Sequence, residues 1–99
     1  MSYPANKKEI VLYSPLTLEN GSSLSRVFMR EPLVRDRIAF SRMKGNDVEN
    51  EVAMVADLCD MNVIDVERLT AADFSQLEDM LNDFLLPPDK REKSTSSEG

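Results

Sequence analysis

Apolar and polar positions alternate with a period of two near the start of the chain, which is the pattern of a strand with one buried face. That face would carry four apolar side chains: Ile10, Leu12, Leu16 and Leu18. Pro15 cannot donate a hydrogen bond to a sheet, so it predicts an edge position or a break between two short strands. Asn20 and Gly21 readily adopt positive φ and predict a turn. We therefore expect a β-hairpin over residues 9–31.

The return strand of this hairpin covers residues 24–30, and its register stays open. Either Leu24 with Phe28 or Val27 with Met29 could face the core, since each pair lies on one side of an extended strand. A two-stranded ribbon alone is marginal in water. The hairpin therefore needs helices to pack against.

About four helices are expected over residues 33–86. Pro32 suits the first turn of a helix, and Gly45 suits a helix end. Two longer helices have apolar stripes at helical spacing, namely Val48, Val52, Val55 and Cys59 in one and Phe74, Leu77, Leu81 and Leu85 in the other. A short helix is expected between them within residues 61–69, and Pro87 ends the last helix. The predicted fold class is α+β, an N-terminal β-hairpin followed by about four α-helices.

The chain is long enough for one domain. Residues 1–8 and 87–99 are polar or proline-containing and are expected to be a disordered N-terminus and a disordered tail, which leaves a single domain over residues 9–86. There is no apolar run of the kind that a signal peptide or a membrane span needs. This pattern favours the cytosol of the cell that makes the protein.

Charge is distributed unevenly along the chain, whose net charge is −6. Residues 26–44 contain six basic and two acidic side chains, whereas residues 47–83 contain eleven acidic side chains and one basic one. The acidic majority argues against general nucleic-acid binding. Opposite charges on two halves could instead be satisfied between copies of the protein, so self-association stays open.

Several kinds of chemistry are excluded by composition. The chain has no histidine, one cysteine and three isolated glycines, so the commonest general base, the usual zinc sites and a phosphate-binding glycine loop are all missing. Carboxylate pairs such as Asp79 with Asp83 are typical of a solvated helix face, and Cys59 is typical of a buried structural thiol. We therefore expect no enzyme activity, no metal and no cofactor.

Six methionines in so short a chain are a second signal. Methionine is flexible and recurs on surfaces that accommodate apolar partners, although core filling is the simpler interpretation. Met54 and Met80 lie beside the apolar stripes and Leu86 follows the last helix. These three side chains would widen an apolar face that suits an amphipathic helix from another chain.

At the junction of the hairpin and the first helix, residues 27–36 read Val-Phe-Met-Arg-Glu-Pro-Leu-Val-Arg-Asp. This resembles the hydrophobic-Arg-Glu-Pro-x-x-Arg-Asp signature of the tail assembly chaperones of contractile-tailed bacteriophages and prophages. The layout is similar as well, with an Asn-Gly hairpin before the signature and amphipathic helices after it. The resemblance extends over residues 10–86.

Members of that family bind the long, helical tape measure protein and keep it soluble while tube subunits assemble around it. The resemblance implies that this chain does the same without catalysis, in the cytoplasm of the bacterial host cell, and is absent from the mature virion. The candidate partner-binding residues are Met29, Arg30, Arg35, Asp36, Met54, Met80 and Leu86. For Arg30, Arg35 and Asp36 we favour pairing across the strand–helix corner over direct partner contact.

Two other functions stay open. A small adaptor or regulator could contact nucleic acid through the basic segment 26–44, in which case its binding would depend strongly on salt. A structural tail subunit would instead be found in purified particles.

Overall fold

A computed structural model describes residues 6–91 and confirms the α+β class. Its elements are β1 (Lys7–Thr17), β2 (Ser23–Arg30), α1 (Val34–Ser41), α2 (Asp47–Leu58), α3 (Val63–Glu67) and α4 (Ala71–Phe84), followed by a short 3-10 turn at Pro88–Lys90. The two strands pair antiparallel in a two-stranded sheet. No helix in this part of the chain has the length and apolar character needed to cross a membrane.

The disorder expected over residues 1–8 and 87–99 falls mostly outside the described residues. Within the described residues, β1 begins at Lys7, two residues earlier than the pattern predicted. Just outside the two strands, the backbone N–H of Glu31 donates to the carbonyl of Asn6, with an N–O distance of 2.8 Å. After α4, the guanidinium of Arg91 donates to the carbonyl of Phe84 at 2.7 Å. The 3-10 turn is therefore held against the end of α4.

The register that the sequence left open is settled by burial. Val27 and Met29 face the core, with Val27 opposite Ile10, whereas Phe28 points to solvent. A one-residue slip would exchange these faces, so the apolar pair fixes the register. Gly21 has φ of 92° in the turn, a conformation that glycine adopts without steric cost.

The hydrophobic core lies between the inner face of the hairpin and helices α2 and α4. Its members are Ile10, Leu12, Leu16, Val27, Met29, Met54, Val55, Leu58, Cys59, Leu77, Leu81 and Phe84. The predicted apolar stripes are wrong at two positions, because Val48 and Leu85 are exposed. Val48 lies in the first turn of α2, ahead of the buried part of that helix, and α4 ends at Phe84, which fills the core in place of Leu85.

Pro15 lies where the pairing of β1 with β2 becomes irregular, on a strand that has β2 on one side only. Near it, the backbone N–H groups of Tyr13 and Ser14 donate to the carboxylate of Asp73 in α4, at 2.7 and 3.1 Å. Gln76 bridges the same elements, since its side-chain amide donates both to Asp73 and to the carbonyl of Val11. Helix α4 thus covers the outer edge of β1 with polar side chains.

Candidate docking surfaces

The strand–helix corner is built around one bidentate ion pair. The two guanidinium nitrogens of Arg30 donate to the two carboxylate oxygens of Asp36, each at 2.9 Å, and one of them also reaches Asp57 at 3.0 Å. Asp36 accepts a further hydrogen bond from the backbone N–H of Leu33 at 2.7 Å, which begins α1. Hydrogen bonding from Arg30 is the main reason that the pKa of Asp36 lies below its ordinary value, against the opposing effect of burial.

A second polar cluster joins the end of β2 to the end of α4. The Arg91 guanidinium donates to the Glu31 carboxylate at 2.7 Å, and Asn6 donates to the same carboxylate at 2.9 Å. Hydrogen bonds from Arg91 and then Asn6 lower the pKa of Glu31. Arg91 and Lys8 also lie over the ring of Phe84, at 5.4 and 5.2 Å from its centre. The Arg-Glu dipeptide of the signature is therefore engaged in contacts within the chain.

The predicted partner-binding residues are not gathered on one surface. Met29 and Met54 are buried in the core, Asp36 is buried under Arg30, and Met80 is half-buried against the core. Only Arg35 and Leu86 are exposed. Arg35 stands outside the bidentate pair and adds only an electrostatic contribution to Asp36.

The outer face of the hairpin carries the largest exposed apolar side chains of the sheet. Val11, Tyr13 and Phe28 are 58%, 72% and 51% exposed, respectively. Phe28 lies opposite Glu9 and Val11 lies opposite Arg26, which places Val11 and Phe28 diagonally across the two strands. We call Val11, Tyr13 and Phe28 the sheet surface.

Helix α1 presents a second apolar surface with a basic border. Val34 and Ile38 are 74% and 46% exposed and lie four residues apart, so they share one face of the helix. Arg35 lies three residues before Ile38, and Arg37 lies three residues after Val34. Arg42 follows Ile38 by four residues, and all three arginines are exposed. We call these five side chains the α1 surface.

Helices α2 and α4 present a third surface, which is acidic. Val48, 67% exposed, lies one turn before Glu51 in α2, and the carboxyl group of Glu51 interacts with that of Glu78 in α4. Burial, the hydrogen bond with Glu78 and the repulsion between the two carboxylates together raise the pKa of Glu51 to about 7. We call Val48, Glu51 and Glu78 the acidic surface.

The raised pKa of Glu51 predicts a pH-dependent loss of stability. Because the folded protein holds a proton that the unfolded chain releases above its ordinary value of 4.5, folding becomes less favourable as pH rises from there to about 7. We expect Glu51→Gln to increase the free energy of unfolding by about 1 kcal/mol at about pH 8, a value reduced for partial solvent exposure, and to change it little at about pH 5. Urea titrations at both pH values measure this difference.

The control for this prediction is Glu67→Gln, which changes an exposed carboxylate of α3. It should leave the stability unchanged at either pH. If Glu51→Gln destabilised the protein equally at both pH values, Glu78 would not be raising the pKa of Glu51.

The reactive groups identified in the sequence lie in unreactive environments. Burial raises the pKa of Cys59 to about 12, so its thiol is almost wholly protonated near neutral pH. Within residues 6–91, no three side chains of the metal-binding types are close enough together to hold an ion. What the described surfaces offer chemically is apolar contact bordered by charge.

Sequence reasoning singled out the basic side chains of the α1 surface but missed its apolar pair, and it missed the sheet surface and the acidic surface as binding sites. Val11 and Tyr13 alternate with the buried residues of β1, so this strand is apolar on both faces. Val34 and Ile38 have helical spacing, but no other apolar residue extends their stripe to mark a buried face. The Glu51 and Glu78 pair joins two helices and has no signature in sequence.

Comparison with known proteins gives one match. The model of a family described as "Phage tail assembly chaperone proteins, E, or 41 or 14" matches residues 9–86. Searches of curated proteins and of solved structures gave no match. The matched residues include the corner and the three surfaces defined above.

Proposed function

The chain belongs to the phage tail assembly chaperone family, and on this premise we propose that it binds the tape measure protein and keeps it soluble while the tail tube assembles. Membership of the family implies a protein partner in tail assembly. We extend this to a partner that is long, helical and aggregation-prone. The chain acts on such a partner by binding, without catalysis.

The observation that supports this proposal is the sheet surface. Val11, Tyr13 and Phe28 expose more than half of their area on the side of the hairpin that faces away from the core. Two aromatic side chains on a stiff ribbon give a large contact area at a low cost in conformational entropy. A soluble protein seldom keeps such a cluster unless a partner covers it.

A helix is the occupant that this surface suits. An amphipathic helix can lay its apolar stripe across the two strands, with its polar side towards solvent. Arg26 and Glu9 are joined by an ion pair of 2.6 Å on the same face, on the diagonal that crosses between Val11 and Phe28. Such an ion pair among the apolar residues favours a reversible contact, which a chaperone needs because its partner must later be released into the tube.

The structure also changes which residues we assign to the contact. Met29 and Met54 are enclosed in the core, so their role in the proposal is to hold the sheet against α2. Leu86 and Arg35, which are exposed, remain candidates at the margin of the contact. The adaptable methionine surface is thus replaced by an aromatic one.

Co-expression with the tape measure protein encoded by the same phage or prophage tests the proposal. The wild-type chain should keep that protein in the soluble fraction and co-purify with it, whereas Tyr13→Ser/Phe28→Ser should lower the soluble yield about tenfold, since aromatic anchors dominate protein contacts. Both side chains are exposed, so the double variant should fold. A urea titration of the purified variant checks this.

The matched control is Val63→Ser/Ile64→Ser, which removes two exposed apolar side chains of α3 that are not part of the sheet surface. This variant should solubilise the partner as well as the wild type does. If the wild-type chain neither solubilises nor captures the tape measure protein, the proposed function is wrong. If it does both and the sheet variant does so equally well, only the assignment of the surface is wrong.

The proposal also concerns where the protein is found. A chaperone that is released before the tail is complete should occur in the cytoplasm of the bacterial host cell and be absent from the mature virion. Mass spectrometry of purified particles from the same cultures tests this. Stoichiometric peptides of the chain in the particles would favour a structural tail subunit.

A further inference from the structure

The two outer edges of the hairpin are covered unequally. On the edge of β1, the backbone N–H groups of Tyr13 and Ser14 donate to Asp73 of α4. The carbonyl of Val11 accepts a further hydrogen bond from the side chain of Gln76. Helix α4 thus satisfies the backbone on that side. Strand β2 pairs with β1 alone in the two-stranded sheet, so its other side is a second edge, which we call the β2 edge.

The register shows which backbone groups point towards the β2 edge. Asn6 and Glu31 continue the register beyond the strands and share a backbone hydrogen bond, so bonded and non-bonded pairs alternate from there along the hairpin. This alternation makes Phe28 and Arg26 members of non-bonded pairs, whose N–H and C=O groups point away from β1. The carbonyl of Val11, opposite Arg26, faces outward on the other strand as the same alternation requires.

The outward groups of Arg26 and Phe28 have no hydrogen-bond partner among residues 6–91. An edge with free N–H and C=O groups is a template for another strand unless a proline, a bulge or free charge protects it. Strand β2 contains no proline, and the extra residues of the irregular pairing belong to β1. Both arginines of β2 are paired with carboxylates of the chain. The β2 edge therefore has the features of a pairing site.

We propose that the β2 edge binds an extended segment of the tape measure protein, which adds to the hairpin as a third strand. This inference rests on the proposed function, since the segment belongs to the same partner, and it is separate from the helix on the sheet surface. Backbone hydrogen bonds at an edge depend little on the partner's side chains. Segments that aggregate are also segments that form strands readily, so an edge suits a chaperone of an aggregation-prone chain.

Side chains next to the β2 edge restrict which segments fit. Phe28 is 51% exposed and the side chain of Arg26 is 60% exposed, and the two lie on the outer face two residues apart. An added strand would place one residue beside each of them. An apolar residue suits Phe28, and an acidic residue suits Arg26, whose guanidinium has donors beyond those used by Glu9. We therefore expect extended segments with an apolar and an acidic residue two positions apart.

Hydrogen–deuterium exchange of the full-length chain tests the proposal, measured free and in the co-purified complex with the tape measure protein, with mass spectrometry that resolves single residues. The N–H groups of Arg26 and Phe28 should exchange rapidly in the free chain and about tenfold or more slowly in the complex. Met29, whose N–H faces β1, is the internal control and should exchange slowly in both. A helix on the sheet surface would cover the ring of Phe28 without bonding its N–H.

The possible outcomes separate this proposal from the function on which it rests. Unchanged exchange at Arg26 and Phe28 within a complex that has formed would overturn the third strand alone. A chain that forms no complex would overturn both the third strand and the proposed function. Exchange at Phe28 that slows in the free chain as its concentration rises would show that a second copy occupies the edge, which would also overturn the proposal.

Arg26→Pro provides a second measurement, with Arg26→Ala as its matched control. Both substitutions remove the ion pair with Glu9, but only proline removes the outward N–H, and neither removes a hydrogen bond to β1. The amount of tape measure protein captured should be about tenfold lower with proline than with alanine. Urea titration shows whether both variants are folded. Equal capture by two folded variants would contradict the proposal, and the exchange measurement decides it if the proline variant does not fold.

Discussion

Replacing Asp73 by alanine is expected to lower the free energy of unfolding by about 3 kcal/mol, most of what a single small core provides. The carboxylate of Asp73 is fully buried and accepts hydrogen bonds from the backbone of Tyr13 and Ser14 and from the side chain of Gln76. Its own backbone N–H donates to Thr70 at the start of α4. Alanine would leave two strand N–H groups without their acceptor at the point where β1 is irregular.

The pH dependence of this contribution has a definite sign. Burial raises the pKa of Asp73, but the hydrogen bonds from Tyr13, Ser14 and Gln76 outweigh it, so the pKa lies below its ordinary value of 3.8. The stability that depends on the carboxylate is therefore complete above the ordinary value and is lost as pH falls through the lower one. Asp36 and Glu31 have lowered pKa values and act in the same direction.

Urea unfolding of the wild type, Asp73→Ala and Asp73→Asn measures this effect. Asparagine keeps the shape and one acceptor but turns its amide donors towards other donors, so we expect a loss of about 2 kcal/mol. The matched control is Asp79→Asn, at an exposed carboxylate of the same helix, which should change the stability little. If both substitutions at residue 73 cost no more than the control, water replaces the carboxylate and α4 does not depend on it.

The sequence predicted much of the fold, because local periodicity specifies which face of an element is buried. The period-two pattern of Ile10, Leu12 and Leu16 identified the inner face of β1, and the spacing of Leu77 and Leu81 identified that of α4. Where two patterns were equally good, as for Val27 and Phe28, the choice required knowledge of what the strand packs against. Periodicity alone contains no such information.

The acidic residues show most clearly why the rest could not be predicted. Composition assigns carboxylates to a solvated face, yet Asp36, Asp65 and Asp73 are buried. Each accepts a backbone N–H, from Leu33, Glu19 and Tyr13 respectively. The bonds to Asp65 and Asp73 tie the hairpin to α3 and α4, whereas the bond to Asp36 closes the start of α1. Of the three bonds, two join residues more than forty positions apart, and no local pattern marks them.

The residues of the sequence signature and the residues of the candidate binding surfaces have different roles in the structure. Arg30 and Glu31 belong to the Arg-Glu-Pro junction, the most specific part of the sequence motif, and together with Asp36 they are engaged in contacts that hold the corner and the end of α4. The surfaces that remain available for partners lie on either side of that corner, on the hairpin and on α1. A motif that fixes the framework can therefore identify the family while leaving the partner contact to less distinctive residues.

Removal of the Arg30 guanidinium is expected to cost about 2 kcal/mol of stability, since it leaves the buried carboxylate of Asp36 without its charged partner. The upper range for buried pairs does not apply, because Arg30 is about a quarter exposed and water can reach Asp36 once arginine is gone. Arg30→Lys should recover only part of the loss, since an ammonium group cannot make the bidentate contact. Urea titration of these variants measures both effects.

A double-mutant cycle with Arg30→Ala and Asp36→Ala isolates the pair from its surroundings. We expect a coupling of about 1.5 kcal/mol, because the double variant has no unpaired charge left at the corner. Arg35→Ala and Asp57→Ala are the matched controls, at exposed residues of the same corner, and each should cost less than about 0.5 kcal/mol. Additive losses from Arg30 and Asp36 would mean that each acts through packing alone, and that the corner is held by the proline and by the apolar contacts of α2 with β2.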